Sequence, residues 1–353
     1  MSTGNRPAGP LAAWRDRVVV RMLDHTPHNP ALGLARTLLA VGTLIALVST
    51  PVQHLFYVSP PRPDGRLCEG VLGSAGLFCL APLDQLEAAR WAAVAILVVV
   101  ASGFAPRWTA VPHWWVSFSV YSSSNAMDGG DQVAAVLTLL LLPLCLTDRR
   151  RWHWTTDTGA GRRSPGLRVA NGFVLLLLWF QVCVIYFHAS VGKLAVVQWR
   201  DGTALWYWTM FPTFAVPEPL YAPMSWLLSH GVVVASLTWG TLALEFFLAC
   251  CLFAGPMLRR LGLGLGVALH LGIAVLMGLP GFSTIMFGAL VLYLLRPGDP
   301  LPEALTGWVS RRVGGRTGER TGGETGVKDT TTAQTGASAA REPVPDPEPV
   351  PAD

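Results

Sequence analysis

Charge is scarce in this chain. Of its 353 residues, 14% are Asp, Glu, Lys or Arg, while 51% are hydrophobic and 14 are tryptophan. Soluble domains carry about 25% charged residues, so the deficit points to lipid as the surrounding solvent. The formal net charge of +4 is too small to serve a nucleic-acid surface. A secretory signal is also missing. Residues 1–30 hold Arg6, Arg15, Arg17 and Arg21 with no long apolar core, and the first apolar run, from near Leu32, ends in Val-Ser-Thr-Pro. A signal needs its apolar stretch directly behind a short basic start, followed by a small-residue cleavage site. That run therefore reads as a retained span. The chain contains no Walker loop, no nucleophile elbow and no His-Glu-x-x-His. What is left is acid–base chemistry, ligand passage or a scaffold role.

Apolar runs are plentiful. Spans fall near 32–50, 87–105, 111–127, 129–147, 168–193, 230–254, 258–279 and 281–296, most of them close to the ~20 residues that cross a bilayer. The expected fold is all-α, a polytopic membrane bundle of about eight transmembrane helices in the cell membrane. The third span, "PHWWVSFSVYSSSNAM", mixes aromatics with hydroxyls and must face protein or a cavity rather than lipid. The last is short. With both termini inside, the arginine clusters at 149–151, 162–163, 259–260 and 311–312 all lie on the cytoplasmic side, and the outer loops hold only Arg62, Arg66 and Arg200. A count of seven or nine spans would put one of these clusters outside.

Three regions follow. Residues 1–30 are a cytoplasmic basic segment in which Leu11, Trp14, Val18 and Met22 share a helical face opposite Arg15, Arg17 and Arg21. It is either a helix lying on the membrane surface or a frayed basic tail. Residues 31–296 form the membrane domain. Residues 297–353 form a cytoplasmic tail, Gly/Thr-rich and then Pro-rich and acidic, without apolar periodicity and expected to be largely disordered. In the first outer loop Cys68 and Cys79 stand with ten residues between them, which in an oxidising compartment favours a disulfide. Cys145, Cys183, Cys250 and Cys251 lie within spans, show no metal-ligand spacing, and read as small core residues.

The polar residues inside the spans carry the functional question. Tyr186, Ser190 and Lys193 follow i, i+4, i+7 and share one face at the outer end of span five, with His188 about one and a half turns below Lys193. Asn125, Asp128 and Asp131 lie at the same outer level, around the Gly129-Gly130 pair that allows close backbone approach. Glu245 and His270 fall near the middles of spans six and seven. A charge at that depth costs about 2.5–3.5 kcal/mol, so the two are expected to pair, or Glu245 to be protonated. Bland readings stand beside these. Lys193 can be a snorkelling anchor, Asp128 and Asp131 helix caps, His270 an interhelical hydrogen bonder, and Trp199, Trp206, Tyr207 and Trp208 an outer aromatic belt.

At "IYFHASVGKLAVVQWRDGTALWY" the chain resembles the HTTM (horizontally transferred transmembrane) family, which shares a membrane core with vitamin K-dependent gamma-carboxylase. The matched positions are Tyr186, Phe187, Ala189, Val191, Lys193, Leu194 and Trp199, supported by the Asp-Gly-Gly-Asp turn at 128–131, by Glu245, and by His270 and Phe282 in "LHLGIAVLMGLPGFSTIM". The loop "RPDGRLCEGVLGSAGLFCL" and the overall size are similar to the sporulation-delaying-protein B branch, where the membrane protein helps mature an exported toxin peptide. The likeness covers roughly residues 30–296. It implies a base role for Lys193 toward a quinol, a quinone as the possible cofactor, and a secreted peptide and a companion maturation protein as partners. Gly192 stands where the carboxylase has a second lysine, and nothing after span eight matches that enzyme's large extracytoplasmic domain.

Three functions are thereby expected as alternatives. The first is a maturation factor with Lys193, Asp131 and the neighbouring His188, Asn125, Asp128, Tyr186, Ser190, Trp199 and Asp201 lining an outer site. The second is a quinone-dependent enzyme with Lys193 as base. The third is a transporter or immunity-type binding protein built on Glu245 and His270.

Overall fold

The computed structural model describes residues 28–58, 65–125, 128–155, 164–211, 214 and 216–297. The N-terminal amphipathic segment, the C-terminal tail, Arg62 and the arginines at 162–163 and 311–312 lie outside the described residues. All described residues belong to one unit, Met1–Val309. Among them there is no strand beyond an isolated antiparallel bridge between Phe104 and Trp152.

The long helices are α1 (Pro30–Ser49), α5 (Leu86–Ser102), α6 (Pro106–Ser123), α7 (Gly129–Leu146), α8 (Pro165–Lys193), α12 (Gly231–Cys250), α13 (Pro256–Leu276) and α14 (Pro280–Leu294). Short helices fill the connections: α2 (Val52–Leu55), α3 (Gly70–Ser74) and α4 (Leu77–Leu80) between α1 and α5, and α9 (Val197–Arg200), α10 (Ala204–Met210) and α11 (Glu218–Leu228) between α8 and α12. Local chemistry sets several starts. Asn29 accepts the Leu32 N–H at 2.8 Å ahead of Pro30, and Ser164 accepts the Leu167 N–H ahead of Pro165, each proline sitting where its missing donor costs nothing.

Six segments are long and apolar enough to cross a membrane: Pro30–Ser49, Leu83–Ser102, Gly129–Leu146, Pro165–Lys193, Gly231–Cys250 and Pro256–Leu276. The sequence pattern led to eight. The difference lies in α6, too polar to qualify, and in α14, which has 15 residues. Both are nevertheless built into the bundle. α14 packs most extensively on α1, and α6 lies between α5 and α7. The chain is a multi-pass, all-helical membrane protein.

One core joins α1, α7, α8 and α14, with Leu39, Leu137, Leu178 and Tyr293 shielded completely; a second joins α1, α5 and α6 around Leu47, Leu97 and Val116. The contact of α1 with α14 depends on small residues. A Cβ at Gly42 would fall 2.4 Å from Ile285 Cγ1 and 2.8 Å from the Gly281 carbonyl. Backbones that close let dispersion contacts hold helices together where lipid offers no hydrophobic drive.

The loop after α7 closes the opposite end. Arg150 grips Asp148 through both carboxylate oxygens, at 2.9 and 2.7 Å, and donates to the His153 carbonyl at 3.0 Å. His153 is buried beside Thr37 and fills the space over Gly103, whose φ of +87° no side chain would favour. Burial pushes the Asp148 carboxyl up, but the hydrogen bonds and charge of Arg150 outweigh it and hold the group below its ordinary range. Burial, with the nearby charges of Arg36 and Arg150, lowers His153 to about 3.

Gly42→Ala should lower stability by about 1–3 kcal/mol through overpacking, read as a lower Tm in detergent, whereas Gly166→Ala, with nothing within 4 Å, should be neutral. A pH prediction follows from His153. Between its ordinary value of 6.5 and about 3, the unfolded chain binds a proton that folded His153 refuses, so stability should fall as pH falls through that window. Thermal unfolding of His153→Gln should show a shallower fall over the same range.

Candidate functional site

α8 carries Tyr186, Ser190 and Lys193 on one face, and α12 presents Thr238, Leu242 and Glu245 with the same i, i+4, i+7 spacing. The two helices run antiparallel and their register is fixed by polar groups. The Ser190 hydroxyl donates to the Leu242 carbonyl at 2.9 Å, and the Cys183 thiol donates to the Ala249 carbonyl at 3.4 Å. Lys193, at the last position of α8, does not reach outward. Its stem turns back along its own helix, so that Nζ donates to the Ala189 carbonyl at 3.2 Å and to both oxygens of Glu245, at 2.7 and 2.8 Å. The lysine side chain is 27% exposed and the glutamate 10%, so the pair is nearly enclosed and open on the lysine side.

Trp199 covers the ammonium, its ring centroid 5.3 Å from Nζ, within cation–π range. The tryptophan is held there by the chain's return along α12. Buried against Ala204 and Leu242, it precedes a Gly202 turn with φ of +82°, a Leu205 N–H donated to the Thr238 hydroxyl at 3.3 Å, and a Trp239 indole donated to the Arg200 carbonyl at 3.3 Å. Gly202 packs so closely on Ala235 that a Cβ would sit 3.0 Å from the alanine methyl.

A second pair lies beside the first. The Tyr186 hydroxyl and His270 Nε2 are 3.0 Å apart, both residues buried, and the other ring nitrogen of His270 has no partner. Which of the two donates depends on the histidine tautomer. His270 feels the charge of Lys193, and Tyr186 that of Glu245, so the four groups share one electrostatic neighbourhood. Phe282 packs against His270 with centroids 5.6 Å apart and ring planes tilted by 58°, and it also lies over Gly130, forming a wall between the histidine and the turn at 128–131.

The remaining expected site residues lie elsewhere. Asp128 and Asp131 form a reciprocal cap on α7: Asp128 accepts the N–H groups of Gly130 and Asp131 at 2.7 and 3.2 Å, and Asp131 accepts the Asp128 N–H at 3.4 Å. Burial raises the Asp128 carboxyl above its ordinary range despite those hydrogen bonds. Asn125 donates to the carbonyls of Tyr57 and Gly65, joining the end of α6 to the connection between α1 and α5. Asp201 accepts from Thr203 within its own turn. His188 is exposed, and at 100° per residue it points away from the Tyr186 face. Cys68 and Cys79 are disulfide-bonded, with Cα atoms 5.8 Å apart.

The expected pairing of Glu245 with His270 is replaced by two others, Glu245 with Lys193 and His270 with Tyr186. Counting residues from helix ends located backbones but not the tip of a flexible lysine stem, which spans about a helical turn. A proton-linked Glu245–His270 pair, on which the transport reading rested, is not formed. Thr238 is not among the residues expected from the sequence, although its hydroxyl on the Glu245 face is the available signal. Among the described residues no three His, Cys, Asp or Glu side chains are grouped to hold a metal ion.

Two proteins of Bacillus subtilis (strain 168) are similar to this chain. The uncharacterized protein YitO is 37% identical over 280 residues, covering 79% of this chain and 89% of that protein. Sporulation-delaying protein SdpB is 31% identical over 288 residues, covering 81% of this chain and 86% of that protein. No family model matches the chain, and no solved structure matches it.

Removing one partner of a nearly enclosed ion pair strands the other. Glu245→Leu or Lys193→Met alone should therefore destabilise the fold by about 3 kcal/mol, somewhat less for the glutamate change because the lysine is part-exposed. The double variant should recover most of that loss. A double-mutant cycle on thermal unfolding in detergent measures the coupling.

Proposed function

The chain belongs to the sporulation-delaying protein SdpB family, and we propose that it assists the maturation or modification of a secreted peptide at the extracytoplasmic face of the membrane. The observation that carries this reading is the Lys193–Glu245 pair under Trp199. Such a pair is exchangeable. A peptide carboxylate competes for Lys193 and a peptide amine competes for Glu245, and in either case the displaced partner becomes a charged contact inside the bundle. Trp199 adds an apolar face beside that contact, suited to a hydrophobic peptide.

In this reading the bundle crosses the membrane eight times, with α6 and α14 counted beside the six apolar segments, and both termini are cytoplasmic. The arginines at 149–151 and 259–260 support that orientation under the positive-inside rule. Residues 1–30 and 297–353 then flank the membrane domain on the inner side, and the connection from α8 to α12 faces outward.

The HTTM likeness raises a quinone as cofactor and Lys193 as its base. The arrangement of the residues does not fit that role. An ammonium has three donors, and here they go to Glu245 Oε1, Glu245 Oε2 and the Ala189 carbonyl, so no free amine is presented to a quinol. We derive no step through a quinone. The pair serves recognition and positioning, and the covalent chemistry on the peptide falls to a companion protease or modifying protein.

Cells carrying Lys193→Ala in place of the parent chain should release less of the mature peptide, or peptide of altered mass, as read by mass spectrometry of the culture medium. Lys193→Met with Glu245→Leu, which spares the bundle a stranded charge, should show the same defect at normal membrane levels. Unchanged peptide mass and amount in both strains would overturn the reading.

A further inference from the structure

The second half of the connection from α1 to α5 runs along α6. The Leu67 N–H donates to the Ser123 carbonyl at 3.1 Å, at the last turn of α6. The chain then follows α6 downward. The Ala75 carbonyl accepts the Trp115 indole N–H at 2.9 Å, and the Leu77 N–H donates to the Ser119 hydroxyl at 2.8 Å before α4 leads back. From Ser123 to Trp115 is eight residues, about 12 Å of helix. Burial on α6 agrees with this path. Arg107, Trp108 and Val111 are exposed near its start, whereas no residue from 112 to 123 is.

Several of the hairpin's backbone donors find carbonyls inside it: Ala75 to Leu72, Gly76 to Gly73, Leu80 to Gly76 and Ala81 to Leu77. Arg66 donates to the carbonyls of Phe78 and Ala81, both at 2.9 Å, where α4 would otherwise leave acceptors bare. The Cys68–Cys79 disulfide closes the mouth, and Phe78, fully buried, packs on Phe56. The side turned away from the bundle is mostly apolar, with Val71 89%, Leu72 74% and Leu80 64% exposed, and is broken by exposed Glu69 and by Ser74, whose hydroxyl donates to the Val71 carbonyl. Internal pairing of backbone groups with apolar side chains outward is what hydrocarbon demands of an irregular segment.

We propose that this disulfide-closed hairpin is a re-entrant element seated in the outer leaflet, with Val71 and Leu72 packed by lipid acyl chains. The proposal rests on the topology given above, in which the C-terminal end of α6 faces outward. Lipid is the occupant because the hydrogen bonds to Trp115 and Ser119 hold the hairpin at the depth of the helical bundle rather than above it. Two of the serines that make α6 too polar for a lone span accept from a second piece of chain at the same depth, Ser119 through its hydroxyl and Ser123 through its carbonyl.

Spin labels on Leu72→Cys and, as a water-side reference, on Asp84→Cys test the proposal. The full chain is labelled with the disulfide oxidised and reconstituted in phosphatidylcholine vesicles, and the signal of the native thiols is measured on the parent chain. The ratio of oxygen to nickel-chelate collisions should be several-fold higher at 72 than at 84. A label at 72 that meets the nickel chelate as freely as the one at 84 overturns the proposal. So does a label shielded from both reagents, since protein would then cover the hairpin. Val71→Cys gives the same reading if Leu72→Cys does not fold. An impermeant thiol reagent added to intact cells separates the two levels. If Asp84→Cys does not react from outside, the topology falls; if it reacts and 72 is open to nickel, only the hairpin proposal falls.

Discussion

A polar group in hydrocarbon has no water to return to, so each must find its partner within the protein. The pairing of Lys193 with Glu245 is the strongest instance and the one on which the site depends. It joins α8 to α12, gives Trp199 a cation to cover, and sets beside it a histidine that bonds to tyrosine rather than to the carboxylate. The Ser190 bond to the Leu242 carbonyl fixes the register in which that ion pair can form.

The same constraint explains where the arginines go. Helices end with carbonyls that lack intrahelical partners, and a guanidinium can serve several at once. Arg90 donates to the carbonyls of Leu47 and Thr50 at the end of α1; Arg259 to those of Leu294 and Ala254; Arg296 to those of Cys251 and Leu252, while lying 4.5 Å over the Trp179 ring. Arg66 does likewise for α4. The helix dipole favours cations at these ends, so a guanidinium supplies both the donors and the charge that the carbonyls call for.

The site was partly legible. Spacing placed Tyr186, Ser190 and Lys193 on one face, and the misfit of Glu245 within an apolar span marked it for a partner. Asp128 and Asp131 carried the pattern of a helix cap and act as one. His188 lies off the site. Nearness in sequence to Tyr186 and Ser190 does not bring a side chain to their face, because two residues along a helix turn it by about 200°. Partner choice across helices was equally out of reach, since it depends on register and on how far a lysine stem folds back.

The amino-acid pattern by itself determined that the chain is helical, apolar and built to lie in lipid, because those properties come from local periodicity and run length. It also marked α6 as a helix that must meet protein rather than lipid, since its four serine hydroxyls have no place among acyl chains. Only the tertiary structure decided what covers α6, that the covering element is the disulfide-closed hairpin, and that Lys193 rather than His270 neutralises Glu245. Those outcomes turn on distances of a few ångströms between segments far apart in sequence, which packing sets and local pattern does not encode.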